Sequence, residues 1–264
     1  MNVAGLDIGS RTVKLVVLND GDVVHTKKTI NSYDPLEVVF RLLDGVSYDY
    51  MVATGYGRHL VGNALSCNTI SEIKAFAIGA RALYPSCRAV LDIGGQDTKA
   101  IYLNEKGELI KFEMNDKCAA GTGRFLEIMA HALNYENIDE FSKAACSVTK
   151  AETINSMCTV FAESEVISLI AHGAKREEVA LGIHKAIAGR SLSLLKRVAP
   201  SGDIVFAGGV ALNNCIQRLI AEELKRPVFV PSDPQTVGAY GAALYGQINL
   251  SKVNLNFNIK EEVR

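Results

Sequence analysis

The sequence predicts an α/β protein of two related lobes, built by repeating one strand–turn–strand–turn–strand unit. The repeat is visible in two segments, LDIGSRTVKLVVLNDGDVV at 6–24 and LDIGGQDTKAIYLNEKGEL at 91–109. Their alignment places Asp7 on Asp92 and Lys14 on Lys99. A single meander cannot bury both of its faces, so each copy needs its own covering helices. With 264 residues and a 48% hydrophobic share, the chain is long enough for two such cores.

The first lobe is predicted to run over residues 1–86. Strand patterns occur in VAGLDIG, TVKLVVLN and DVVHTKKTI, with turns at Gly9 and at Asn19-Asp20-Gly21. Asp34-Pro35 is typical of a helix start, YDYMVATGYG of a strand ending in glycines, and SEIKAFAIGARALY of a second helix. We expect the chain to pass from the first lobe to the second at a hinge near residues 84–87, and to cross between the lobes a second time close to the C-terminus.

The second lobe is predicted to cover residues 87–248, with a poorly packed tail at 249–264. After its meander the pattern is mainly helical, in GTGRFLEIMAHAL, TVFAESEVISLIAHG and the run from residue 176 to 198. A late strand, DIVFAGG, precedes the helix LNNCIQRLIAEEL.

Composition excludes several functional classes. The formal net charge of -1 and the scattered Lys and Arg argue against a nucleic-acid surface. The sequence lacks an apolar run long enough to span a bilayer, and the first residues do not resemble a secretory signal, so we expect a cytoplasmic protein without a membrane anchor. The six cysteines contain no CxxC pair, and in a reducing cytosol disulfides are not expected.

Both DIG turns are candidates for phosphate binding. Glycine lets the backbone approach an anion closely, and the N–H groups of such turns form a concave anion site. Because Asp7 and Asp92 cannot bind phosphate directly, their expected role is to hold a hydrated Mg²⁺. We expect both hairpins to serve one ATP or ADP. The predicted nucleotide contacts in and around them are Gly9, Ser10, Arg11, Thr12, Lys14, Gly94, Gly95, Gln96, Gly121 and Thr122.

A third glycine pair lies in FAGGVALN, between a strand and a helix. Gly208 and Gly209 are expected to let adenosine pack on bare backbone, although close strand-to-helix packing explains the pair equally well. Asn213 and Gln235 are further predicted nucleotide contacts. In this order, DIGS, LDIGGQDTK and FAGGVALN resemble the phosphate-1, phosphate-2 and adenosine motifs of the acetate and sugar kinase, Hsp70 and actin superfamily. The resemblance implies a two-lobed actin-like ATPase fold with duplicated ribonuclease H-like lobes.

Two cysteines precede predicted helices. Cys118 comes before AAGTGRFLEIMAHAL and Cys158 before TVFAESEVISLIAHG, and helix N-termini stabilise thiolates and negatively charged iron–sulfur clusters. A four-iron cluster takes four Cys ligands, which a symmetric dimer of this chain would supply.

The surrounding segments NDKCAAGTGRFLE and MCTVFAESEVISL resemble the ligand segments of the BadF/BadG/BcrA/BcrD ATPase family, activators of 2-hydroxyacyl-CoA dehydratases. The resemblance covers residues 1 to 248. It implies a homodimer sharing one [4Fe-4S] cluster on Cys118 and Cys158. It also implies ATP-driven transfer of a low-potential electron, received from a ferredoxin or flavodoxin, to a partner iron–sulfur protein.

Three polar residues are candidates for positioning the hydrolytic water. Gln96 and Asp97 lie in the second hairpin itself, whereas Glu163 also fits an exposed position on an amphipathic helix. These three are the predicted catalytic residues.

Alternatives remain open at this stage. The acceptor could be a 2-hydroxyacyl-CoA dehydratase, a double-cubane cluster protein or an acyl-CoA reductase. A small-molecule kinase of the same fold would need a base for an acceptor hydroxyl and a substrate pocket. A non-catalytic nucleotide-binding regulator, with the cysteines as core residues, is the third alternative.

Overall fold

The computed structural model describes residues 1–156 and 158–261, with side chains described through residue 251. The chain divides into two compact units: Met1–Pro85 together with Gln235–Arg264, and Ser86–Pro234. Within the described part of the chain, no helix is both long and apolar enough to cross a membrane.

Unit 1 is a five-stranded mixed sheet in the order β3-β2-β1-β4-β5. Its strands are β1 (Asn2–Ile8), β2 (Thr12–Asn19), β3 (Asp22–Ile30), β4 (Tyr50–Thr54) and β5 (Asn68–Thr69). The first three pair antiparallel, and β4 and β5 join in parallel. Its helices are α1 (Pro35–Leu43), α2 (Arg58–Ala64), α3 (Glu72–Leu83) and α9 (Val237–Glu261). The Asp34 side chain caps α1 by accepting hydrogen bonds from two backbone N–H groups of its first turn, as the sequence predicts.

Unit 2 repeats the same sheet in the order β10-β9-β6-β7-β8. Its strands are β6 (Cys87–Ile93), β7 (Thr98–Leu103), β8 (Leu109–Asn115), β9 (Asp203–Ala207) and β10 (Val228–Phe229). Its helices are α4 (Gly123–Ala132), α5 (Ile138–Cys146), α6 (Thr159–Ala171), α7 (Arg176–Val198) and α8 (Asn214–Leu224), with a short 3₁₀ turn at Gly209–Leu212. Since β8 is followed by three helices before α7, unit 2 is the longer copy.

The C-terminal helix belongs to unit 1, which corrects the predicted boundary at residue 248. Glycines allow the close approach: a Cβ on Gly5 of β1 would overlap the carbonyl of Ala239, and one on Gly241 would overlap that of Ala75 in α3. Residues 235–248 therefore pack on the sheet and helix of the first unit rather than on the second. Helix α9 continues through Glu261, so the predicted tail at 249–264 begins inside it, and residues 262–264 lie outside the described residues.

Candidate functional site

The β1–β2 hairpin holds a lysine–aspartate pair. Asp7 is 2% exposed and lies opposite Lys14 in the strand register. The Lys14 Nζ is 3.0 Å from Asp7 Oδ2. The turn is fixed from two sides, because Gly9 N–H donates to the Thr12 carbonyl at 3.1 Å and the Asn31 side-chain amide donates to the Gly9 carbonyl at 2.8 Å. The carboxylate is therefore held in a set position beneath a rigid glycine turn.

A glycine after β4 closes on the same carboxylate. Gly55 has φ +92°, and a Cβ there would lie 2.6 Å from Asp7 Oδ1 and 2.5 Å from the Ile8 carbonyl oxygen. Only glycine fits both the backbone angle and the space. Within the described residues, Asp7 Oδ1 and the neighbouring Thr54 hydroxyl are buried without a hydrogen-bond partner. Such orphaned oxygens call for a water or an ion.

The β6–β7 hairpin repeats the arrangement with a deeper ion pair. The Lys99 side chain is 2% exposed, and its Nζ lies 3.1 Å from Asp92 Oδ2 and 2.7 Å from Asp97 Oδ1. One buried cation thus serves two carboxylates, and Asp97 remains the more accessible of them, at 25% exposure. Lys99 is thus buried within unit 2 and does not lie on a solvated face of the sheet.

Gly208, after β9, is the counterpart of Gly55. Its φ is +86°, and a Cβ there would overlap Asp92 Oδ1 and lie 2.5 Å from the Ile93 carbonyl oxygen. In both units the glycine that follows the parallel neighbour strand closes on the aspartate of the hairpin. The internal duplication therefore includes this contact as well as the hairpin.

The second hairpin is tied to the start of α4. Gly123 N–H donates to the Gly94 carbonyl and Arg124 N–H donates to the Gly95 carbonyl, both at 2.9 Å. The Thr98 hydroxyl donates to the Gly121 carbonyl, also at 2.9 Å. These three hydrogen bonds connect the hairpin turn to the start of α4 and to the segment that follows Cys118.

Cys118 lies in the loop between β8 and α4, half-buried and unpaired. Because α4 begins only at Gly123, Cys118 lies in the loop ahead of the helix and not, as the sequence had suggested, at its N-terminus. Asn115 holds the loop instead. Its side-chain amide donates to the carbonyls of Cys118 and Ala120 at 3.1 and 3.2 Å.

Cys158 is the exposed N-cap residue of α6, as the sequence predicts for a thiol at a helix start. The segment before it is held by Glu165 of the same helix, whose carboxylate accepts from the backbone N–H of Asn155 at 2.9 Å and of Ser156 at 2.7 Å. Burial raises the pKa of Glu165, but the hydrogen bonds from Asn155 and Ser156 outweigh it, so the net pKa is lowered. The carboxylate stays ionised and clamps this segment at neutral pH.

A cavity of about 430 Å³ borders the Cys118 loop in unit 2. Its lining includes Gly121, a predicted nucleotide contact, and Arg190 and Arg197 of α7. Gly121 has φ +88°, and a Cβ there would lie 3.0 Å from Arg190 Cδ, so the backbone angle and the packing of the arginine both favour glycine. Sequence reasoning gave Arg190 no role, since an isolated arginine inside a helical pattern carries no signal of its own.

The other predicted site residues are distributed over both units. Gln96 is exposed in the second turn, and Glu163 is exposed on α6, the arrangement that the amphipathic pattern allowed. In the first turn, Ser10 and Thr12 are half-buried and Arg11 is exposed. The remaining positions are Thr122, buried at the N-cap of α4, Gly209 at the start of the 3₁₀ turn, and Gln235 in the segment that leads into α9.

Asn213 is committed to the core of unit 2. It is 3% exposed, and its carbonyl oxygen accepts from the Ser142 hydroxyl at 2.9 Å and from Ile216 N–H at 3.0 Å, capping α8. Its amide lies 3.1 Å from Nε2 of His184, whose Nδ1 lies 2.8 Å from the Ala180 carbonyl. This arrangement requires a neutral imidazole that donates through Nδ1 and accepts through Nε2. The side chain of Asn213 is thus fully used by the fold, and a nucleotide contact from it stays a prediction.

We expect the stability of unit 2 to fall on mild acidification because of His184. Burial lowers the pKa of this imidazole to about 4, against about 6.5 in an unfolded chain. Between these values the unfolded state binds the extra proton, so the free energy of unfolding falls as pH falls, by about 2 kcal/mol from pH 7 to pH 5. Urea denaturation at both pH values measures this. His184→Gln should lose much of this change in unfolding free energy between pH 7 and pH 5, whereas His131→Gln, on the exposed end of α4, should keep it. The same change in the wild type and in both variants would show that His184 is not its cause.

Three comparisons identify relatives. The activator of lactoyl-CoA dehydratase from Anaerotignum propionicum is 43% identical over 254 residues, covering 93% of this chain and 97% of that protein. The activator of the 2-hydroxyisocaproyl-CoA dehydratase from Clostridium difficile, with bound ADPNP, superposes with a TM-score of 0.88 at 39% identity, covering 97% and 98% of the two chains. A ROK family glucokinase from Streptomyces griseus, at 12% identity and a TM-score of 0.61 over 94% of this chain and 99% of that one, shares the fold alone.

These likenesses confirm the two-lobed actin-like α/β fold and the family resemblance of the sequence motifs. The model of the BadF/BadG/BcrA/BcrD ATPase family matches residues 4–246, nearly the whole length described. The chain belongs to the BadF/BadG/BcrA/BcrD ATPase family.

Proposed function

We propose that this protein is an ATP-dependent, low-potential electron donor that activates a partner iron–sulfur enzyme of the 2-hydroxyacyl-CoA dehydratase type. Relatives named as dehydratase activators, similar over more than nine-tenths of the chain, support the activator role. The observation that carries the proposal is the paired construction of the two units, each with a glycine turn beside a buried aspartate that is paired with a lysine. That construction suits a protein that responds to nucleotide phosphates.

The phosphates are proposed to bind at the glycine turns. Backbone N–H groups there attract anions, and Lys14 and Lys99 offset the negative charge of the aspartates. Hydrated Mg²⁺ fits the orphaned Asp7 Oδ1 and Thr54 hydroxyl, which water would join to the ion. Asp97, the most accessible carboxylate of its hairpin, and Gln96 at the turn are the proposed groups for orienting the attacking water.

Cys118 and Cys158 are the proposed ligands of a [4Fe-4S] cluster. Both are free thiols of unit 2 that reach the surface, while Cys87 and Cys215 are buried. Because a four-iron cluster takes four Cys ligands, two subunits would share it, each giving two thiols. When bound, such a cluster supplies a one-electron reservoir. The residues of this chain position it, through the Asn115 and Glu165 clamps on the two cysteine segments.

A single assay separates this function from kinase activity. The anaerobically purified protein is mixed with dithionite, a 2-hydroxyacyl-CoA dehydratase and Mg²⁺, together with ATP, ADP or a non-hydrolysable ATP analogue. Dehydratase activity should appear with ATP and fail with ADP, and ³¹P spectra should show inorganic phosphate as the product. Activation without nucleotide, or transfer of phosphate to a small-molecule hydroxyl, would contradict the proposal.

A further inference from the structure

Two cysteines outside the proposed cluster site lie side by side in unit 2. Cys146 is the last residue of α5, and Cys215 is in the first turn of α8. The two helices pack against each other, and both cysteines belong to the same hydrophobic cluster of unit 2. Both cysteines are free. The sequence separates them widely, so their pairing is visible only in the fold.

Neighbouring contacts fix this juxtaposition. Ser142 lies one helical turn before Cys146, on the same face of α5, and its hydroxyl accepts from Cys215 N–H at 3.2 Å. From α8, Arg218 donates to the Cys146 carbonyl at 3.4 Å. These two hydrogen bonds hold the C-terminal end of α5 against the N-terminal end of α8, where the two thiols lie.

The two thiols differ in accessibility. Cys215 is fully buried, whereas Cys146 is half-buried and partly reaches the surface. Burial, and then the neighbouring Cys146, raise the pKa of the Cys215 thiol to about 12, while Arg218 lowers it. Cys215 therefore stays protonated at neutral pH and is a poor first nucleophile, whereas Cys146 is open to a reagent from solvent.

We propose that Cys146 and Cys215 form a dithiol modification site that a small-molecule disulfide of the glutathione class converts reversibly to an intramolecular disulfide between α5 and α8. The Cys146 thiolate attacks one sulfur of the reagent, breaking its S–S bond and releasing one thiol. The Cys215 sulfur, as its proton leaves, then attacks the Cys146 sulfur of the mixed disulfide and releases the second thiol. Two electrons pass from the cysteines to the reagent, which is reduced to two thiols.

The site adjoins a functional segment. Cys215 follows Asn213, the cap of α8, and this turn continues directly from the Gly208-Gly209 segment. A disulfide would fix the first turn of α8 against α5 at that point. Both helices belong to unit 2, and the proposal does not depend on the proposed electron-donor function.

Peptide mapping of the wild-type protein tests the proposal. The protein, purified without oxygen, is treated with oxidised glutathione under native conditions, alkylated and digested with trypsin without reduction. Cleavage at Lys and Arg leaves Cys146 in residues 144–150 and Cys215 in residues 198–218, each as the only cysteine of its peptide. We expect the two peptides to be joined in most molecules and to separate on reduction. In the Cys215→Ser variant the reaction should end after its first step, with Cys146 joined to glutathione as a mixed disulfide.

The wild-type result decides the matter even if a variant fails to fold. Cys67 is a control, because it is half-buried in unit 1 and burial raises the pKa of its thiol. Recovery of the two peptides separately from folded wild-type protein, or their linkage only after denaturation, would overturn the proposal.

Discussion

Gly208→Ala is expected to destabilise unit 2 by about 3 kcal/mol or more and to reduce ATP hydrolysis at least about tenfold. A Cβ at this position meets Asp92 Oδ1 and the Ile93 carbonyl, neither of which can move without disturbing β6. The positive φ of +86° adds a backbone cost of about 1 kcal/mol for any residue with a Cβ. The aspartate under the second hairpin would be displaced. Denaturation curves and steady-state phosphate release measure the two effects.

Two matched glycines separate the causes of this effect. Gly173, also in unit 2, has a positive φ of +91°, but a Cβ there meets nothing within 4 Å, so Gly173→Ala should cost only the backbone strain of about 1 kcal/mol and leave ATP hydrolysis intact. Gly189 of α7 has open space as well and no positive φ, and Gly189→Ala should stabilise the helix by about 0.5–1 kcal/mol. If Gly208→Ala behaved like Gly173→Ala in both measurements, the close packing on Asp92 would not matter for function.

The duplication extends the same expectation to unit 1. Gly55→Ala should resemble Gly208→Ala, since the new Cβ would press on Asp7 and the Ile8 carbonyl in the same way. A large effect in one unit and none in the other would show that only one hairpin matters for nucleotide hydrolysis.

The hairpins could be predicted from the sequence because all of their determinants are local. Alternating strands, Gly turns and the aligned Asp and Lys lie within each copy, and the structure pairs Asp7 with Lys14 and Asp92 with Lys99 as cross-strand neighbours. Gly55 and Gly208, the glycines that pack against these aspartates, could not be aligned with each other from the sequence repeat. The insertion of α4, α5 and α6 in unit 2 gives Gly208 a different spacing from its aspartate than Gly55 has, so no repeat period connects them.

Other differences between the predicted and the observed structure also arise from tertiary contacts. Helix α5 was not predicted, although Asn137 caps it by accepting from Glu140 N–H and Glu140 reaches back to the N–H of Glu136. Helix α2 is short and has no side-chain cap, and no sequence signal marks it. The unit boundary at residue 235 depends on glycines that meet distant backbone atoms. Asn213 was predicted to contact nucleotide from its motif alone, whereas its burial beside His184 is decided by the packing of α7 against α8.

The second large effect is expected from the two thiols proposed to hold the cluster. Cys118→Ser and Cys158→Ser should each remove nearly all bound iron, because a hydroxyl is a poor cluster ligand and a shared four-cysteine set loses two ligands per dimer from one substitution. Cys67→Ser is the matched control, since Cys67 lies in unit 1 and is proposed to hold no metal. Its dimer should retain the iron content of the wild type.

Iron content after anaerobic reconstitution, measured per dimer alongside electron delivery to the dehydratase, decides whether two subunits share a cluster on these cysteines. We expect about four irons per dimer for the wild type and Cys67→Ser, and close to none, with no electron delivery, for Cys118→Ser and Cys158→Ser. Unchanged iron and unchanged delivery in either of those two variants would contradict that expectation.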